Sequence, residues 1–126
     1  MKLDSQPERA PDQLEENLKK ALTELLVLRL FSEKERYIGE LPELIEARSH
    51  GDLSIVFPYA AFYRIYKAGL ITEQKKRVAP DGRLRQYYAI TEEGQAHLNA
   101  LLDTYARISR AVSSVLEPLE DKEGET

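Results

Sequence analysis

Apolar residues recur at helical steps through the first third of the chain. Leu14, Leu18, Ala21, Leu22, Leu25, Leu26, Leu28 and Phe31 mark one long helix. Asp12 with Glu15 three residues on has capping-box spacing, so the helix is expected to begin at Asp12 and run to about Ser32. Its apolar surface is wider than one neighbour needs, which predicts a helix inside the domain that also touches a second subunit. Residues 1–12 are polar, hold Pro7 and Pro11 and show no apolar period, and read as a flexible arm. A short second helix follows, with Leu41, Leu44 and Ile45 on one face and its end near Ser49. Pro42 is tolerated only in a first turn, so this helix starts at Glu40 or Leu41. His50-Gly51-Asp52 is a turn. The third helix holds Tyr59 to Ala68 and stops at Gly69; either Ser54 caps it or Pro58 opens it, because Ile55 and Val56 suit an extended approach equally well.

The period then changes from helical to alternating. Leu70–Val78 and Leu84–Ile90 read as two strands joined by Ala79-Pro80-Asp81-Gly82, a type I turn signal with Pro second and Gly fourth. Tyr87 and Tyr88 fall on opposite faces, one buried and one partly exposed. Thr91 with Glu92 and Glu93 opens a last helix, slightly weakened by Gly94. Along it Leu98, Leu101, Tyr105, Ile108, Val112, Val115 and Leu119 recur at alternating steps of three and four, a heptad seam. Pro118 marks its end, at roughly 26 residues and ~40 Å. A domain this small cannot bury such a helix alone. Leu98, Leu101, Tyr105, Ile108, Val112 and Val115 are therefore the expected dimerisation residues.

Composition narrows the chemistry. The 126 residues are 42% hydrophobic with 6 Gly and 6 Pro, enough for one modest core. Zero Cys excludes disulfides, thiolate zinc sites and cysteine nucleophiles, and is compatible with a reducing cytoplasm. His50 and His97 have no carboxylate or His partner at ligand spacing, Glu40, Glu43 and Glu46 read as a solvated helix face, and no Gly-rich phosphate loop is present. The chain is expected to need no cofactor or metal and to be no enzyme. No apolar run reaches the ~18 residues a membrane span needs, and Met1 leads into polar sequence, so the expectation is a cytoplasmic protein without membrane contact.

Charge changes the picture more than its total of −4 suggests. From Arg64 to Tyr88 there are seven cations (Arg64, Lys67, Lys75, Lys76, Arg77, Arg83, Arg85) against Glu73 and Asp81, a balance of +5 that leaves −9 for the remainder. A lone basic stretch is usually a solvated face. Here it sits on a hairpin after three helices and before a long seam, the element order of a winged helix-turn-helix with a C-terminal dimerisation helix. The expected fold is thus mainly α (α+β), with a DNA-binding unit over 13–90, the dimerisation helix over 91–117 and a disordered acidic tail over 118–126.

The residues also resemble a known family. Ala68-Gly69-Leu70-Ile71 after Arg64-Ile65, then Gly82-Arg83-Leu84-Arg85-Gln86-Tyr87-Tyr88-Ala89-Ile90-Thr91-Glu92-Glu93-Gly94, resemble PadR-type transcriptional regulators, whose wing reads Gly-Arg-x-Arg-Lys-Tyr-Tyr-x-Leu-Thr-x-x-Gly. Leu22-Thr23-Glu24-Leu25-Leu26-Val27-Leu28 is similar as well, so the resemblance covers roughly residues 18–116. Two stretches depart from the pattern. Tyr37-Ile38-Gly39-Glu40-Leu41 stands where the family has Tyr-Gly-Tyr-Glu-Leu, and Val56-Phe57-Pro58-Tyr59-Ala60 keeps only the Tyr of Gly-Thr-Leu-Tyr-Pro. The resemblance implies a homodimeric repressor on double-stranded DNA, its recognition helices one helical turn apart, released by a small-molecule effector. With no Trp, this chain has no Trp-walled effector pocket of the kind some relatives use. Tyr59, Tyr63, Arg64 and Lys67 of the third helix and Lys75, Lys76, Arg77, Arg83 and Arg85 of the wing are the implied DNA contacts, Arg83 in a minor groove and most others on phosphates. Tyr63 and Tyr66 suit core packing equally well. The competing function is a winged-helix module that no longer reads DNA and binds protein through Tyr59, Phe62 and Tyr63.

Overall fold

The computed structural model describes residues 2–56 and 58–119. Its elements are α1 (Lys2–Glu33), β1 (Arg36–Tyr37), one 3-10 turn (Ile38–Glu40), α2 (Leu41–Arg48), α3 (Tyr59–Lys67), β2 (Ile71–Glu73), β3 (Arg77–Val78), β4 (Leu84–Arg85), β5 (Tyr87–Ile90) and α4 (Glu92–Leu116). This is the mainly helical winged helix-turn-helix: α2 and α3 form the helix pair, and β2 to β5 form the wing. The acidic tail expected over 118–126 lies outside the described residues beyond Leu119.

Two expected boundaries move. The stretch 1–12 was expected as an arm, yet α1 is helical from Lys2 onward. Pro7 and Pro11 each delete one N–H from the helical ladder and disfavour a helix interior, so the local sequence does not account for this extension. The third helix begins at Tyr59 with Pro58 in the N-cap position, so residues 53–56 approach it outside any helix. It ends in a Schellman motif: Gly69, at φ +78°, donates its N–H to Tyr66 O (3.0 Å), and Leu70 N–H donates to Ile65 O (2.9 Å).

The core gathers Val27, Leu28 and Phe31 of α1, Leu41 of α2, Ile65 of α3 and Leu98 of α4. Phe31, Phe62 and Tyr66 all meet the ring of Tyr88 on β5 at 5.0 to 6.4 Å between centroids, edge to face. Tyr87, on the other face of β5, is buried against Tyr37 at 5.4 Å. The sheet has one more strand than the alternation predicted. β1 pairs antiparallel with β5 (Arg36 opposite Tyr88, Tyr37 opposite Tyr87), giving the order β1-β5-β2. Two residues are too few to show a period, so β1 left no signal.

Arg36 on that strand is buried, and its charge is answered on several sides. Its Nε donates to Leu30 O (2.8 Å), one of the last carbonyls of α1, and its Nη2 to Glu33 Oε1 (2.9 Å). Arg48 of α2 donates to both oxygens of the same carboxylate, at 2.6 and 2.9 Å. Glu33 therefore ties α1, β1 and α2 at one point.

Gly94, read from sequence as a weakness in α4, is a requirement. A Cβ there would sit 2.0 Å from Leu70 O and 2.7 Å from Ile90 Cγ1. Only glycine lets the first turn of α4 lie on the start of β2. Thr91 seals the same corner, its Oγ1 donating to Gly69 O (2.8 Å) and accepting from Gly94 N–H (3.0 Å).

Gly94→Ala is expected to destabilise the fold by on the order of 2 kcal/mol despite alanine's better helix propensity, because backbone must move to admit the methyl; thermal unfolding measures it. Glu33 supplies a second expectation. The hydrogen bond from Arg48, with help from Arg36, holds its carboxyl below the usual 4.5 against the opposing effect of burial. A depressed folded value means its stabilisation is present above pH 4.5 and lost as pH falls through the depressed value. Denaturant titrations from pH 6 to 2.5 are expected to show a shallower acid slope in Glu33→Gln than in the unaltered chain.

Candidate nucleic-acid interface

The period of α3 sorts its residues into two faces. Ala61, Phe62 and Ile65 are buried, while Tyr59 (68% exposed), Tyr63 (60%), Arg64 and Lys67 point outward. Lys67 Nζ lies 5.3 Å above the Tyr63 ring, so the aromatic and the cation share one patch. Tyr66 is instead a packing residue, stacked on Phe62 at 5.9 Å, with its hydroxyl donating to Glu73 Oε2 (3.1 Å). That bond holds the Tyr66 hydroxyl above its usual range. Phe62, expected in an exposed aromatic patch under the protein-binding alternative, belongs to the core and cannot meet a partner.

The wing is two short ladders rather than two long strands. Glu73 pairs with Tyr88 and Arg77 with Arg85, so three residues on one side face two on the other. This is a β-bulge, with Lys75 and Lys76 opposite Gln86. The Gln86 side-chain amide donates to Gln74 O and Tyr87 O, satisfying carbonyls beside the bulge. Beyond it, β3 and β4 close on a turn in which Gly82 N–H donates to Ala79 O and Ala79 N–H to Arg83 O, both at 2.8 Å. Gly82 has φ +85°, the left-handed residue that a three-residue hairpin loop requires.

The wing cations fall into two groups. Arg77 donates to Glu35 (2.8 Å) and lies 3.5 Å over the Tyr87 ring. Arg85 is bound by Asp81 at the tip (2.5 Å), and Asp81 also accepts from Arg83 N–H (3.0 Å). These contacts hold the Asp81 carboxyl below its usual 3.8, Arg85 first and the Arg83 amide second. By contrast, Lys75, Lys76 and Arg83 are exposed and make no ion pair among the described residues. The seven cations of the basic stretch thus divide between structural guanidiniums and outward charges, a distinction that spacing cannot show.

On the α1 side of α3, Arg64 Nη2 stands 3.7 Å from Glu24 Oε1, and His97 of α4 meets Glu24 Oε2 at 3.0 Å. Sequence spacing gave His97 no carboxylate partner; the fold supplies one from 73 positions away. Among the described residues no group of three His, Asp or Glu side chains could hold a metal ion, and no helix is long and apolar enough to cross a membrane.

The heptad seam of α4 divides in the middle. Leu98 is fully buried within its own chain, which removes it from the dimerisation set, and Leu101 packs partly against the same core. Tyr105, Ile108 and Val112 are about half exposed and Val115 is 83% exposed. On α1, Leu14 and Leu18 are also exposed.

The family model for the transcriptional regulator PadR-like family matches residues 27–100, from the last two turns of α1 through the wing and into α4. An uncharacterised protein of Lysinibacillus sphaericus is 34% identical over 97 residues, covering 75% of this chain and 88% of its own. A transcriptional regulator of Streptococcus is 27% identical, with a TM-score of 0.67, covering 79% of this chain and 97% of its own. A PadR-like transcriptional regulator from Bacillus cereus shares the fold at 24% identity and TM-score 0.69, covering 82% and 99%. A PadR family transcriptional regulator from Eggerthella lenta does so at 20% identity and TM-score 0.72, covering 89% and 96%.

Asp81→Asn is expected to loosen the wing tip by removing the acceptor for Arg85 and the Arg83 amide, seen as faster amide exchange at Arg83. In the unaltered chain the depressed carboxyl keeps the tip closed above pH 3.8, and it opens only as pH falls through that lowered value, which an NMR titration of the Asp81 carboxyl follows.

Proposed function

The chain belongs to the PadR-like family of transcriptional regulators, and on that premise we propose that it is a sequence-specific repressor, acting as a cytoplasmic homodimer on double-stranded DNA and released by a small-molecule effector. One observation carries the DNA reading: Lys75, Lys76 and Arg83 of the wing and Tyr63 and Lys67 of α3 are all exposed on elements locked together through Tyr88. In this reading the unit over 13–90 holds the duplex. Tyr59, Tyr63 and Lys67 enter the major groove with α3, while Lys75, Lys76 and Arg83 neutralise phosphates or line a minor groove. Arg77 and Arg85 act mainly by holding the wing's shape, each engaged by a carboxylate of its own chain.

The homodimer reading rests on the apolar half of α4. Tyr105, Ile108, Val112 and Val115 form a stripe that one copy leaves in water, and the segment 91–117 pairs with its counterpart along that stripe. An apolar groove of about 320 Å³ between Leu18, Leu22 and Leu26 of α1 and Leu53 and Ile55 is the place for an apolar effector. The reading needs no catalytic group, cofactor or metal. The protein-binding alternative is weaker, since the exposed aromatics of α3 lie beside Arg64 and Lys67 and Phe62 is buried.

Fluorescence anisotropy with duplex from the chain's own upstream region is expected to show binding that weakens steeply with salt and exceeds that to random duplex. Lys75→Ala with Arg83→Ala is expected to lower the salt slope by about two per protomer while leaving the dimer intact. No preference for the upstream duplex would overturn the repressor reading. Ile108→Asp with Val112→Asp is expected to yield monomers at micromolar concentration, read by sedimentation, with DNA affinity falling in parallel.

A further inference from the structure

A helix in the major groove lies between two phosphate rims. The groove is about 12 Å wide and a helix with its side chains about 10 to 12 Å across, so both rims come within side-chain reach. One flank of α3 carries Tyr66, which meets Glu73 of β2 and Tyr88 of β5, the strands from which the wing extends; in the proposed reading the wing serves the rim on that flank. The opposite flank carries Ala60 and Arg64 and faces α1. Between them lies a cleft of about 470 Å³, lined from α1 by Glu16, Lys19 and Lys20 and from the approach to α3 by Ser54.

The charges of this cleft are unequal in consequence. Lys19 is answered within α1 by Glu15 (3.1 Å) and Glu16 (3.8 Å). Arg64 is held toward α1 by Glu24 at 3.7 Å, which draws its guanidinium to the α1 flank of α3, where it borders both this cleft and the surface of Tyr63 and Lys67. Lys20 is exposed and makes no ion pair among the described residues. It is the cation on this flank left for an external anion.

We propose that α1 belongs to the DNA interface: Lys20, with Arg64 beside it, contacts backbone phosphates on the rim of the major groove remote from the wing. The inference rests on the reading that α3 enters that groove. It makes Arg64 a phosphate contact rather than a reader of bases, and it has the recognition helix gripped from both sides, by the wing and by α1. A lysine suits this place, because an ammonium on a flexible stem neutralises a phosphate without the fixed geometry that base recognition demands.

The test uses the full chain, the upstream duplex and a random duplex of equal length, with anisotropy measured from 0.05 to 0.4 M salt. Lys20→Ala is expected to weaken binding to both duplexes alike, roughly tenfold per copy at 0.1 M salt, and to reduce the log–log salt slope by about one per protomer. Lys20→Arg is expected to restore the slope. Since Lys20 is exposed, melting temperature and dimer mass serve as controls and are expected to stay unchanged. If the unaltered chain binds and Lys75→Ala with Arg83→Ala weakens it while Lys20→Ala changes neither affinity nor slope, the α1 contact is overturned and the DNA reading stands. If Lys20→Ala alters the preference between the two duplexes, the phosphate assignment is overturned. Absence of salt-sensitive DNA binding by the unaltered chain overturns both.

Discussion

The ring of Tyr88 is where the separate parts of this molecule meet. Phe31 brings α1 to it, Phe62 and Tyr66 bring α3, and the residue itself belongs to β5, the strand that pairs with both β1 and β2. Edge-to-face contacts of this kind add about 0.5 to 1.5 kcal/mol each beyond the area they bury, and they fix ring planes as well as separations. Their consequence is angular. The axis of α3 and the plane of the wing cannot turn independently while one ring is packed from three sides. A two-part surface that must match the repeat of a duplex needs that rigidity more than it needs any single contact.

Charge is arranged on this frame with a division of labour between residue types. The planar guanidiniums of Arg36, Arg48, Arg77 and Arg85 are committed to carboxylates of the chain itself, where a forked donor matches a carboxylate closely. Exposed pairs of this kind contribute little to stability individually, so their main effect at the wing is on shape. The bulge adds to this by breaking the ladder at Lys75 and Lys76, both of which are left exposed. Meanwhile the negative remainder of the chain, −9 outside the basic stretch, disfavours any approach to a polyanion that does not lead with the wing and α3.

The long C-terminal helix joins this head to the apolar stripe. Its first turns are held firmly by the Gly94 contact with Leu70, the Thr91 cap and the buried side chain of Leu98, while its second half stands clear of the domain. Anchoring at one end and exposure at the other make α4 a lever. Any movement of that second half would reach Leu70 and β2 directly through the Gly94 contact, and through β2 the wing.

The residue pattern alone determined the helical spans of α2 and α4, the hairpin between β3 and β4, the cap at Thr91, the stop at Gly69 and the concentration of cations near the wing. All of these follow from local causes: period, turn chemistry and capping act between residues a few positions apart. Tertiary structure decided what depends on distant partners. It added β1, buried Arg36, made Gly94 indispensable, paired His97 with Glu24, withdrew Leu98 from the seam into the core, and separated structural arginines from outward lysines. A spacing of three or four residues states which side chains share a face. It cannot state which faces are covered, because coverage is set by whichever segment the rest of the chain folds against them.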